Sequence, residues 1–232
     1  MKFRTGARAF TIIELLVAIT VIAVLLVIAS SVATRAITAS KMTLNTKNLR
    51  SIGVTVMAYA SDHAGTIPPQ TQGTSRITTI SYNLSSGAAP RKMYTGSSWG
   101  VAGQGTSDYI SSPAMFYSPF VPDFGGNRER FPQDPKGTFY VAYMYYYMPR
   151  VDETGRAPIV SGLYNDRLTE SSSAPLYSDI LFSASERSRF KGTRFSVIYL
   201  DGHIETFPYD ELVALKSNKE RVLRLSQFTA TP

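Results

Sequence analysis

Cysteine is absent from this 232-residue chain. Its absence excludes a disulfide framework, a thiolate metal site and a cysteine nucleophile, and it leaves the redox compartment open. The sequence also has no Walker loop, dinucleotide-binding fingerprint, zinc motif or internal repeat, so the enzyme classes that depend on those motifs are not indicated. With 44% hydrophobic and 18% charged residues, the chain can form one sizeable domain or a domain with an anchor.

Charge is nearly absent from one long stretch. Between Phe10 and Ala33 the only ionisable side chain is that of Glu14. As a helix this stretch would extend about 36 Å at a rise of about 1.5 Å per residue, enough to cross a hydrocarbon core of about 30 Å. A short basic leader precedes it, and long domains translocate largely regardless of charge. We therefore expect the leader to lie in the cytoplasm and the bulk of the chain to lie on the opposite side of the membrane.

A secretory signal peptide is the alternative interpretation of the same stretch. Signal peptidase could cut after the small residues 31–33, and the mature chain would then begin at Thr34. The apolar stretch is longer than the about 7–15 residues typical of a signal peptide, however, and a signal peptide gives Glu14 no role. We therefore favour a permanent anchor.

Glu14 indicates what kind of anchor this is. An ionised side chain at the centre of a span costs about 2.5–3.5 kcal/mol, and less near an end, where it can reach the interface. The string AFTIIELL, which begins at Ala9, resembles the prepilin processing and methylation motif of type IV pilins and type II secretion pseudopilins. The resemblance implies cleavage between Ala9 and Phe10 by a prepilin peptidase and N-methylation of Phe10. Ala9 stands where that family usually has glycine.

The resemblance also gives Glu14 a role in assembly. In that family the acid at this position pairs with the N-terminal amine of a neighbouring subunit, and opposite charges attract more strongly in a low-dielectric bundle than in water. The implied partners are a prepilin peptidase, identical or related pilin-like subunits in a filament, an inner-membrane assembly platform and membrane lipid.

The helix is predicted to continue beyond the apolar stretch. Four apolar residues recur at spacings of three, four and three: Leu49, Ile52, Val56 and Tyr59. This spacing puts them on one face of a helix, and that face should cover a core. Gly65 and the prolines after it end the pattern, so the predicted helix runs from about Thr11 to His63.

Two segments resemble a group of bacterial pseudopilin-like proteins named for a histidine, nine residues and Asp-Gly. The first is NLRSIGVTVMAYASDHAGTIP at residues 48–68, and the second is YLDGHIETF at residues 199–207. Asp179 matches an acid that is often found upstream of the second segment in that group. Lys191 replaces the histidine of the name.

The remaining chain indicates a small antiparallel sheet. Residues 138–148 and 175–183 are strand candidates, and residues 195–200 and 203–207 should form a hairpin. Asp201 and Gly202 between them predict a type I′ turn, in which both residues have positive φ. The composition of residues 66–136 predicts long loops with short strands. The tail after Pro208 predicts one or two peripheral helices, with Leu212, Leu215, Val222 and Leu225 as their apolar residues.

The sequence contains candidate residues for three further functions. Asp179, Asp201 and His203 could bind a metal, but Asp201 is better explained as a turn former, and we expect no metal and no cofactor. Ser98 lies in a G-x-S-x-G pattern, with Asp179 and His203 in the order of a hydrolase triad. No helix signal follows that serine, so we expect no enzyme. The basic residues at 187–194 are typical of a solvated strand approach, and we expect no nucleic-acid partner.

The sequence therefore predicts an α+β pilin-like fold, in which a long N-terminal helix packs on a small antiparallel sheet. The predicted parts are a leader at 1–9, a transmembrane half-helix at 10–33, an exposed half at 34–65 and a globular domain at 66–232. The predicted location is a bacterial inner membrane, with the globular domain periplasmic or extracellular. A secreted or anchored binding protein or hydrolase with an ordinary signal sequence is the alternative.

Overall fold

The fold is known from a computed structural model. It describes residues 11–68, 79–83, 109, 113–121, 140–148, 150, 163–164, 166–170, 174–179, 190, 192–213, 215 and 218–228. The elements, in chain order, are α1 (Ile12–Asp62), β1 (Thr79–Asn83), a 3₁₀ helix (Pro113–Phe116), β2 (Tyr140–Tyr147), β3 (Pro175–Asp179), β4 (Arg194–Tyr199), β5 (Ile204–Pro208), α2 (Tyr209–Val213) and α3 (Asn218–Phe228). The contacts divide the chain into two compact units, Met1–Thr43 and Leu44–Pro232.

Helix α1 is 51 residues long, and its ends lie within one residue of the predicted ends. It stops because Ala64 and Gly65 both have positive φ, at 53° and 78°. The Gly65 N–H donates to the Ala60 carbonyl at 2.7 Å, which closes the last turn in the manner of a Schellman motif. The predicted role of glycine at this end is confirmed, and an alanine shares the left-handed conformation with it.

The first unit contains the apolar part of α1, and its large hydrophobic side chains are exposed. By length and composition α1 could cross a membrane: its most apolar 18-residue window has a mean hydropathy of 3.1. The hydroxyls in this part bond to carbonyls of their own helix, as in Thr20 to Val17 at 2.8 Å and Ser30 to Val27 at 2.9 Å. Satisfied hydroxyls of this kind are compatible with a lipid environment, where unpaired polar groups are costly.

The second unit is built on a five-stranded antiparallel sheet in the order β1-β2-β3-β4-β5. Strands β2, β3, β4 and β5 lie within or next to the four segments that the sequence predicted. The part of the second predicted strand beyond Asp179 lies outside the described residues. The α+β fold with a long helix and a small antiparallel sheet is therefore confirmed.

The later part of α1 packs on one face of this sheet. The four side chains predicted to cover the core are all buried, as are the strand residues they contact: Leu49, Ile52, Val56, Tyr59, Tyr143, Tyr145, Tyr177 and Ile198. The helix lies close to β4 at Gly53, where an added Cβ would lie 2.3 Å from Cδ1 of Ile198. Strand residues alternate between faces, so the polar residues Ser196 and Asp179 also point toward α1.

Helix α3 covers the other face of the sheet. The Tyr199 hydroxyl donates to the Leu225 carbonyl at 2.9 Å, and Val222 and Leu225 are buried. Two of the four apolar residues predicted for the tail thus contribute to the packing of this helix, and Leu215 is half-buried. All five residues of β3 are buried because both faces of the sheet are covered there.

The turn between β4 and β5 differs from the predicted type. Tyr199 and His203 pair across it through the Tyr199 N–H and the His203 carbonyl at 3.0 Å, so the loop has three residues rather than two. Gly202 has a φ of 86°, but among the described non-glycine residues only Ala64 has positive φ. The type I′ prediction is wrong. The Asp201 carboxylate accepts the His203 N–H at 3.0 Å, and this local bond stabilises the longer loop.

Two neighbouring tyrosines in the core differ in whether their hydroxyls have a hydrogen-bond partner. The Tyr145 hydroxyl donates to the Pro68 carbonyl at 2.6 Å. The Tyr177 side chain is fully buried beside it, with ring centroids 4.8 Å apart, and its hydroxyl has no hydrogen-bond partner in the described part of the chain. A buried polar group without a partner costs about 1–3 kcal/mol.

We therefore expect Tyr177→Phe to raise the free energy of unfolding by about 1 kcal/mol, because it removes an unsatisfied group and leaves the packing intact. The matched variant Tyr145→Phe should lower it by about 1–2 kcal/mol, since the Pro68 carbonyl loses its donor. Urea unfolding of the full-length chain in detergent micelles, followed by near-ultraviolet circular dichroism, measures both. Equal destabilisation by the two substitutions would contradict the assignment.

Candidate functional site

The start of α1 is closed by a reciprocal pair of hydrogen bonds. Thr11 precedes the helix, and its carbonyl accepts the first helical bond, from Leu15 N–H at 3.2 Å. Its N–H and its hydroxyl both donate to Oε2 of Glu14 at 2.9 Å, and its hydroxyl oxygen accepts the Glu14 N–H at 3.2 Å. This is a capping box, in which a threonine before the helix and a glutamate three residues later satisfy each other's backbone donors.

The capping box explains how the acid is accommodated within one chain. Two donors that would otherwise be unpaired at the helix start are satisfied, and a negative charge in the first turn is favoured by the helix dipole. Glu14 was predicted to be functional but the role of Thr11 was not predicted, although T-x-x-E before an apolar run is the sequence signal for this motif. The processing residues Ala9 and Phe10 lie outside the described residues, so their roles stay predictions.

A buried polar cluster fixes the later part of α1 to the sheet. Asn45 is the first buried residue of α1, and it lies one turn before Leu49 on the same face. Its Nδ2 donates to Oδ2 of Asp179 at 2.8 Å, and its Oδ1 accepts from the Tyr143 hydroxyl at 2.8 Å and the Ser118 hydroxyl at 3.1 Å. One asparagine thus joins α1 to β2, β3 and the segment that follows the 3₁₀ helix.

Asp179 completes this cluster at the end of β3. Its Oδ2 also accepts the Ser196 N–H of β4 at 2.8 Å, in the place where the next ladder bond between β3 and β4 would lie. Its Oδ1 is 3.3 Å from the Ser118 hydroxyl. Burial raises the pKa of Asp179 to about 7, although the bonds from Ser196, Asn45 and Ser118 act in the opposite direction. Burial and the nearby Asp179 likewise raise the pKa of Tyr143.

Of the candidate metal-binding and triad residues, Asp201 and His203 contact each other, whereas Asp179 bonds to Asn45, Ser118 and Ser196. Asp179 is fully buried against α1, and it contacts β4 at Ser196, five residues before Asp201. The His203 ring is half-buried in the hairpin, where Nδ1 contacts Asp201, Nε2 lies 3.8 Å from Oε1 of Glu205, and the ring stacks on Tyr199 at 4.3 Å. Within the described ranges no group of three or more His, Asp or Glu residues could hold a metal ion. Ser98 lies outside them.

The sequence contained a usable signal for the buried cluster. Asn45 is a polar residue in phase with the apolar face of α1, and a buried polar group at such a position requires a partner. Asp179 was noted, but its pairing with Asn45 was not predicted. Ser118 and Ser196 carry no distinguishing sequence pattern, because only the tertiary fold brings them within reach.

We expect Asn45→Ala to lower the free energy of unfolding by about 2–4 kcal/mol, because Asp179 and Tyr143 would each lose a buried partner. Lys47→Ala is the matched control on the same helix, and its exposed position predicts a change within about 0.5 kcal/mol. Urea unfolding of both variants in micelles measures the difference. A change for Asn45→Ala as small as that for Lys47→Ala would show that the cluster does not stabilise the fold.

Residues 4–30 match the family model described as the prokaryotic N-terminal methylation motif. The match includes both residues of the capping box and supports the resemblance to type IV pilins and pseudopilins. Neither a curated protein nor a solved structure matches the chain. The N-terminus is thus of the prepilin type, and together with the apolar helix it fits a membrane-anchored protein.

Proposed function

We propose that this chain is a pilin-like structural subunit, processed by a prepilin peptidase and assembled into a filament of a type II secretion system or a type IV pilus. The observation that carries the proposal is the match of residues 4–30 to the methylation motif at the start of a long, exposed apolar helix. Proteins with this motif are typically structural rather than catalytic, and we propose the same here.

The proposed cleavage creates the N-terminal amine with which Glu14 of a neighbouring subunit would pair. Cleavage after Ala9 would leave Phe10 as the first residue, with a positive amine one residue before Thr11. A carboxylate can accept about four hydrogen bonds, and Thr11 supplies two, both to Oε2. The acid can therefore keep its local cap while it accepts the amine of a neighbouring subunit. That ion pair would set the register of packed helices in a low-dielectric bundle.

The exposed side chains of α1 suit two apolar environments in turn. The large hydrophobic residues before Thr43 are exposed around the whole helix, and the hydroxyls among them bond to their own helix. Such a surface is soluble in lipid, and it can equally be buried against copies of itself. In the proposed arrangement the leader is cytoplasmic, residues 10–33 span the inner membrane and residues 66–232 lie in the periplasm or outside the cell.

Glu14→Gln separates a role in assembly from a role in capping. Glutamine supports a capping box as glutamate does, but it has no charge to pair with an amine. We expect Glu14→Gln and Glu14→Ala both to insert into the membrane and both to lose filaments by about tenfold or more, since about 1.4 kcal/mol per contact is already tenfold. Carbonate extraction and electron microscopy of the cells that make the protein measure these two properties.

Thr11→Val is the matched variant, because it removes the side-chain cap and keeps the charge of Glu14. If Glu14→Gln assembles normally while Thr11→Val does not, the acid acts through the helix cap alone and the proposed ion pair is wrong. If both assemble normally, neither interaction sets the register.

Mass spectrometry of the N-terminal peptide of the mature protein tests the processing proposal. We expect a chain that begins at N-methylated Phe10, and we expect Ala9→Gly to be processed at least as well because the cleavage site then has the usual residue. A mature chain that begins at Thr34 would establish an ordinary signal peptide, and a chain that retains Met1 would establish an uncleaved anchor. Either result would overturn the proposed function.

A further inference from the structure

We propose that Asp179 is a proton-operated latch, which holds the later part of α1 on the sheet when its carboxyl is protonated and loosens this contact when the carboxyl is ionised. The latch consists of Asn45, Ser118, Tyr143, Asp179 and the Ser196 N–H. The inference concerns the globular unit alone, and it stands whether or not the chain forms filaments.

A proton on Asp179 would add one hydrogen bond to the buried cluster. Oδ2 of Asp179 already accepts from Asn45 and from Ser196, each at 2.8 Å. The remaining contact, between Oδ1 and the Ser118 oxygen at 3.3 Å, joins two groups that share a single hydroxyl proton if the carboxyl is ionised. Ser118 also lies 3.1 Å from Oδ1 of Asn45, which accepts from the Tyr143 hydroxyl and competes with Asp179 for the Ser118 proton.

Protonation resolves this competition. A proton on Oδ1 of Asp179 lets the acid donate to the Ser118 oxygen, and the Ser118 hydroxyl can then donate to Asn45 without a conflict. The Ser118 oxygen also accepts the Phe120 N–H at 3.2 Å, which holds it in place. In the ionised state the single Ser118 proton can serve only one of the two oxygens, so the buried cluster that joins α1 to the sheet has one hydrogen bond fewer, and this loss weakens the contact.

The surroundings of Asp179 contain no compensating cation among its hydrogen-bond partners in the described part of the chain. It accepts from the Asn45 amide of α1, the Ser196 N–H of β4 and the Ser118 hydroxyl, and it pairs with Tyr143 of β2 in the sheet. The charged residues closest in sequence to these contacts within the second unit are exposed: Lys47 and Arg50 on α1 and Arg194 on β4. The Arg194 guanidinium donates to the Thr206 carbonyl instead. A buried carboxylate without a cation favours its neutral form.

The direction of the pH effect follows from the raised pKa of Asp179, about 7 in the folded chain against an ordinary value of about 3.9. The folded state binds the proton more tightly than the unfolded state does. The latch therefore contributes fully to the stability of the contact between α1 and the sheet below pH 4, and this contribution is lost as the pH rises to about 7. Over this window the equilibrium constant for opening rises by up to about tenfold per pH unit, and above it the constant is level.

Hydrogen exchange of the full-length chain in detergent micelles tests the latch. Peptides that cover residues 45–52 and 113–121 are compared between the natural chain and Asp179→Asn at pH 5, 6, 7 and 8. Asparagine mimics the protonated acid, because its Nδ2 can donate to Ser118 while its oxygen keeps both bonds. Comparison at equal pH cancels the intrinsic dependence of exchange on pH.

We expect the opening constant of the natural chain, relative to the variant, to rise by roughly 50-fold from pH 5 to pH 7 and by only about twofold more from pH 7 to pH 8. A ratio that does not change with pH would overturn the proposal. If Asp179→Asn fails to fold, carbon-13 titration of the Asp179 carboxyl in the natural chain decides instead. A midpoint near 7 supports the latch, and a midpoint near 4 overturns it.

Discussion

The contact between Asn45 and Asp179 is the constraint around which the globular unit is organised. Leu49 and the apolar residues after it supply the area that α1 buries, but apolar packing alone does not fix one register between a helix and a sheet. The buried amide does so, because it must meet the carboxylate of β3 and the phenol of Tyr143 at the same time. The Ser196 N–H brings β4 into the same set of bonds, so the position of the helix and the end of the β3–β4 ladder depend on each other.

At the start of α1 the acid Glu14 has a local function. Glu14 is explained within one chain as half of a capping box with Thr11. The same carboxylate keeps acceptor capacity for an amine from another chain. The local cap is compatible with the proposed ion pair, and it lowers the cost of holding an acid at the edge of an apolar segment. Pre-orientation of the side chain by Thr11 would also reduce the entropy lost on pairing.

Much of the architecture could be predicted from local patterns. The 3.6-residue period of Leu49, Ile52 and Val56 predicted the buried face, and Gly65 marked the end of the helix to within a few residues. Strand positions followed from β-branched and aromatic runs. The turn type was wrong because it was inferred from Asp-Gly alone, whereas the Asp201 carboxylate bonds to the backbone of His203 and stabilises a three-residue loop.

The sequence by itself determined the prepilin-type N-terminus, the length and apolar character of the first half of α1, and the helical face that meets the sheet. These features depend on residues close together in the chain. Only the tertiary structure decided that Asp179 is paired with Asn45 rather than with His203, and that its carboxyl is shielded from solvent. The reason is physical: the protonation state of the buried Asp179 depends on burial and on donors from three separate segments, and no local sequence pattern predicts which segments will meet.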